Sequence, residues 1–105
     1  MTRTKALDRI VKAARMNGFK VEANNWAMHG MMIKAENVNF TIVSEPHLNL
    51  EERTVTEKWS LQASISKMGG APTVAELREA ADEISRAALL TEQVNNWNLE
   101  STDAI

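Results

Sequence analysis

The chain has no cysteine and no tyrosine, only two prolines and four glycines, and just three tryptophans and two phenylalanines in 105 residues. The lack of cysteine excludes disulfides, thiolate nucleophiles and zinc–thiolate sites. Nucleophiles then reduce to Ser, Thr, Lys or a carboxylate, and general bases to two His and the acids. No apolar run approaches the roughly 20 residues that span a bilayer. The opening MTRTKALDRIVKAARMNGF is basic but lacks the unbroken apolar core of a secretory signal. The expectation is a cytoplasmic protein with no membrane partner.

What is present is an ordinary globular composition, 44% hydrophobic and 25% charged. A chain of this length buries roughly 65% of its unfolded surface, enough for one core without staples. The net charge of −2 is unevenly spread. Residues 1–20 carry six cations against Asp8 alone, giving +5; residues 73–105 carry seven anions against Arg78 and Arg86, giving −5. Such a split points to electrostatic contact within the fold or with a partner.

Periodicity organises the chain. Leu7, Ile10, Val11 and Ala14 form one face of a first helix, with Lys5, Arg9, Lys12 and Arg15 opposite. Asn17-Gly18 closes it, and Phe19 folds back onto Ala14. Strands are expected at Phe19–Ala23, along WAMHGMMIKAE with a bend at His29-Gly30, and at Val38–Ile42. The longest runs from Thr54 to Ser66, with positions 55 to 65 alternating between a dry and a wet face. EPHLNLEER between them reads as a loop, and Met68–Pro72 as a hinge-like linker. Thr73-Val-Ala-Glu76 matches a capping box that opens a second helix. That helix is expected to turn Val74, Leu77, Ala81, Ile84 and Ala88 inward. The fold class is therefore α+β, a two-layer sandwich of two amphipathic helices on an antiparallel sheet of three to four strands, in the order α-β-β-β-(β)-α. Residues 1–90 form the single domain, and residues 91–105 a C-terminal extension.

This order resembles the topology of double-stranded-RNA-binding domains, whose second helix supplies basic residues at its start. Here that helix begins TVAELREAADE, so the resemblance is confined to topology and implies no RNA site.

Candidate chemistry is sparse. WAMHGMMI gathers Met28, Met31 and Met32 around His29, the soft ligand set of a copper site. Alternate residues of an extended chain point to opposite faces, so the stretch reads as core and turn, with no metal site. Glu45 and His47 form at most a carboxylate–imidazole pair, too few ligands to define a centre. No glycine elbow, P-loop or dinucleotide fingerprint occurs, so no catalytic residue and no cofactor are assigned. Gly69-Gly70 precedes a helix start where phosphate could dock, but no Lys follows.

Two surfaces remain. Lys5, Arg9, Lys12 and Arg15 could follow a polyanion, which makes nucleic acid the alternative partner. Leu90, Val94 and Trp97 form a stripe opposite the expected inward face. Either the helix breaks near Thr91 and folds back, or the stripe meets a second chain. The expectation is a non-catalytic interaction or regulatory module. It would be a homodimer joined through Leu90, Val94 and Trp97, of the kind a phage or mobile element encodes to act on a host protein.

Overall fold

A computed structural model describes residues 1–23, 31–66 and 70–105, with Ala23, Met31 and Met32 by backbone alone. Helix α1 spans Arg3–Met16, starting at Thr2, whose side chain accepts from the Lys5 N–H. Its apolar face is the expected one: Leu7, Ile10, Val11 and Ala14 are all buried, joined by Ala6 and Ala13. It ends where Gly18 takes φ +84° and the Phe19 N–H donates to Ala14 O at 3.0 Å. A side chain at Gly18 would be strained by that angle and would press on the Arg86 guanidinium.

Among the described residues, five strands form two antiparallel sheets. Strands β1 (Lys20–Ala23) and β2 (Met31–Lys34) pair as a ribbon, with Lys20 opposite Lys34. Residues 26–30 of WAMHGMMI lie outside the described residues, as do residues 68 and 69 of the hinge-like linker. Strands β3 (Val38–Asn49) and β4 (Thr54–Ile65) form a long hairpin, and β5 (Glu100–Ala104) pairs with the β4 segment 54–58. Helix α2 (Val74–Asn96) lies between β4 and β5 in sequence. The fold is α+β, helix then strands then helix, with a fifth strand after α2.

Two local expectations are corrected. The segment EPHLN is strand, not loop: β3 continues through Pro46 to Asn49. Trp59 and Leu61 direct N–H groups away from β3, to Leu99 O and Asn95. By antiparallel alternation, their even-numbered neighbours bond β3 at its odd positions. Pro46 thus sits at an outward position of an edge strand, where a missing N–H costs no ladder bond. The second correction concerns residues 91–105. Helix α2 runs unbroken to Asn96 and β5 extends the sheet, so these residues belong to the domain.

The core gathers α1, Phe19, Ile33, Val38, Trp59, Leu61 and the second half of α2. Trp59 is buried, and its Nε1 donates to buried Ser101 Oγ at 2.7 Å, so the indole keeps a partner inside. The opposite sheet face exposes Thr41, His47, Lys58 and Gln62. The radius of gyration is 16.0 Å, against about 13 Å for a compact domain of this length. A hairpin of 12-residue strands, each roughly 40 Å long, accounts for that elongation.

Candidate interaction surface

Leu90 and Val94 are fully buried, at 0% exposure, in the chain's own core. Trp97 is half-buried against that core, with the Arg9 guanidinium 4.1 Å from its ring centroid. The stripe expected to meet a second chain therefore docks within its own domain, and the helix does not break at Thr91 to let it do so.

The reason lies in which face of α2 approaches the sheet. Its buried residues are Ala80, Glu83, Ala87, Leu90 and Val94. The small Ala80 and Ala87 side chains let helix and sheet approach closely. Glu83 is accommodated because its carboxylate accepts from the Glu36 N–H at 2.6 Å and the Asn37 N–H at 2.8 Å. It thereby satisfies two donors of the turn between β2 and β3. Asn95 does similar work further on, exchanging two hydrogen bonds with the Leu61 backbone.

The set expected inward lies instead about 120° around the helix, at 100° per residue. Val74 is 66% exposed and Leu77 49%; Ala81 and Ala88 are exposed and Ile84 is half-buried. The spacing 74, 77, 81, 84, 88 alternates threes and fours, the interval that keeps apolar residues on one seam against another helix. The first six residues of α2 are all exposed, although Val74 and Leu77 are among them.

Beside the seam, α2 and the far end of the hairpin enclose an apolar groove of roughly 420 Å³. Ile84 and Ala88 line its helix side, and Val38, Ala63 and Ile65 its sheet side. Ile65 is 68% exposed there. By the alternation along β4, Ala63 and Ile65 point backbone groups in the same direction as Leu61, beyond the Asn95 contact. Seam and groove form one continuous uncovered apolar surface. The charges flanking it differ along its length: Arg78 stands near one end, and Glu92 lines the groove at the other.

The remaining candidates are separated. Lys5, Arg9, Lys12 and Arg15 are all exposed on α1, with Arg9 held over Trp97. Glu45 and His47 lie on the outer sheet face, opposite Lys58 and Thr56 respectively. At the start of α2, Thr73 Oγ1 accepts from the Glu76 N–H at 3.2 Å and lies 3.2 Å from the Glu76 carboxylate. An acidic side chain thus stands where a phosphate would dock. Among the described residues, no group of three or more His, Asp or Glu is placed to hold a metal ion, and no helix is long and apolar enough to cross a membrane.

Comparison with known proteins adds no family: no family model, curated protein or solved structure matches the chain. The surface is thus read from its own residues. The heptad spacing of Val74, Leu77, Ala81, Ile84 and Ala88 is visible in the sequence. That it faces solvent is not, because Ala80, Glu83 and Ala87 resemble an exposed face until Glu83 finds its two amides.

Proposed function

We propose that the protein is a non-catalytic interaction module that self-associates through the exposed seam of α2. The observation that supports this reading is the exposure of Val74 and Leu77 in a helix whose inner face is already filled by another set of residues. Large apolar side chains at seam spacing lose free energy in water, roughly 1.5–3 kcal/mol each relative to full burial. Two such residues, with exposed Ile65 in the groove further along the same surface, favour a protein partner over a small substrate. The polar outer face of the sheet stays free in such an assembly for a second macromolecule, such as a host protein.

Sedimentation velocity across a concentration series tests this reading. The wild type is expected to pass from 11.7 kDa to twice that mass. Leu77→Asp should remain monomeric with an unchanged circular dichroism spectrum, because Leu77 is 49% exposed and lies outside the buried face of α2. A dimer that survives Leu77→Asp, or a monomer throughout the series, overturns the reading.

A second reading, nucleic-acid binding, is favoured by the exposure of Lys5, Lys12 and Arg15 along one helix. Arg9 contributes less to it, since its guanidinium already stacks on Trp97.

A further inference from the structure

We infer that the surface is occupied by α2 of a second copy running antiparallel, so that the start of each α2 fills the groove of the other; this rests on the reading of α2 as the docking face. Three observations select that occupant.

The first is complementarity of size along the seam. An antiparallel pairing sets Val74 against Thr91 of the second copy, Leu77 against its Ala88, and Ala81 against its Ile84. In the two inner layers a large residue, Leu77 or Ile84, meets an alanine, and the same layers recur in reverse order by symmetry. A parallel pairing would set Leu77 on Leu77 and Ala81 on Ala81, overfilling one layer and leaving a void in the next. Interdigitation of large with small is what a close-packed helix seam requires.

The second is position. Residues 74–79 are all exposed in their own domain, while the groove beside Ile84 and Ala88 is open. The antiparallel arrangement carries Val74 and Leu77 of one copy over that groove in the other, beside Ile65. One two-fold operation covers both overhangs and both grooves, as an isologous interface requires. In a parallel pairing the overhangs would cover only each other.

The third is charge. Antiparallel pairing brings Arg78 toward Glu92 of the second copy, twice. In a parallel pairing the two copies of each residue would lie on opposite sides of the seam, so that Arg78 would meet no opposite charge. Opposite charges flanking a seam set its orientation more than its strength.

Thr91 lies at the end of the same seam. Its Oγ1 is buried, has no hydrogen-bond partner in the monomer and belongs to a residue that lines the groove. It would face the second copy's Val74 at the end of the seam.

The absence of native cysteine makes the test clean, because engineered thiols are the only ones. Leu77→Cys and Ala88→Cys are made singly and together in the full chain, then mildly oxidised at a concentration where the wild type is dimeric. Positions 77 and 88 of one helix stand about 16 Å apart, too far for an internal disulfide. Only the double variant is expected to give covalent dimer, and Arg78→Glu should weaken association about ten-fold, with Glu92→Arg restoring it. Covalent dimer from Leu77→Cys alone would show a parallel pair and overturn the inference. So would a dimer, lost in Leu77→Asp, in which neither the double variant nor either single one is crosslinked. In both cases α2 would still be the docking face. A dimer indifferent to Leu77→Asp, or no dimer at all, overturns the inference together with the reading beneath it.

Discussion

The side chain of Asn95 and the backbone of Leu61 exchange two hydrogen bonds: the Leu61 N–H donates to Oδ1 at 2.8 Å, and Nδ2 donates to Leu61 O at 3.0 Å. An amide side chain thus stands in for a strand where β5 no longer reaches. Asn95→Ala should cost about 1–2 kcal/mol in urea unfolding, the net value of two partly exposed hydrogen bonds. Asn96→Ala, on an exposed neighbour, should stay within about 0.5 kcal/mol. Equal effects would show that Asn95 does not hold the edge of β4.

Glu83 offers a sharper test, because its two acceptor oxygens serve two backbone donors. Glu83→Ala leaves both amides without their partner and should cost about 2–4 kcal/mol. Glu83→Gln keeps the shape but retains only one acceptor oxygen, so it should fall between. If Gln equals the wild type, one amide does not depend on the carboxylate.

Leu90→Ala should destabilise by about 2–5 kcal/mol, as for a buried leucine whose removal leaves a cavity. Its neighbour Leu89 is 61% exposed, and Leu89→Ala should be near neutral. Thermal melts at one fixed, low concentration separate these effects from any assembly. A mild Leu90→Ala would return that residue to the surface.

Oligonucleotide binding decides between the two functional readings. Reversing Lys5, Lys12 and Arg15 to Glu removes exposed cations while sparing the Arg9 contact with Trp97. We expect the wild type to show no binding to duplex or single strands at physiological salt. Binding that falls steeply with salt and is lost in the triple reversal would make α1 the working surface.

The sequence discloses some elements better than others, for physical reasons. α1 is legible because its large apolar residues, Met16 apart, are its core residues, and its stop signal is local. β4 is legible because its alternation spans the whole strand, although only Trp59 and Leu61 are buried. β5 is not: ESTDA carries no large apolar residue, and it is a strand because β4 offers it an edge. The second half of β3 was hidden by Pro46, which reads as a breaker until the strand is known to lie at an edge. In α2 both apolar stripes were visible, and their assignments were exchanged. Size favoured Val74 and Leu77 as core, whereas close packing on the sheet favoured Ala80 and Ala87. Only tertiary contact, through Glu83 and Asn95, decides between them.

The placement of β5 also orders events during synthesis. The β3–β4 hairpin is local, and such hairpins form in about 1–10 μs once their strands are free. Trp59, at its centre, must wait much longer for company. Its indole donor finds Ser101 and its backbone N–H finds Leu99, some forty residues further on. Closing the other side requires still more distant partners: the Thr102 N–H meets Met1 O, and the Arg3 N–H meets Asp103 Oδ2. At roughly 5–20 residues per second, a ribosome takes seconds to deliver those groups. For that interval the nascent chain holds a hairpin with an uncovered tryptophan, and α1 lacks α2 and β5, two of the elements it packs against.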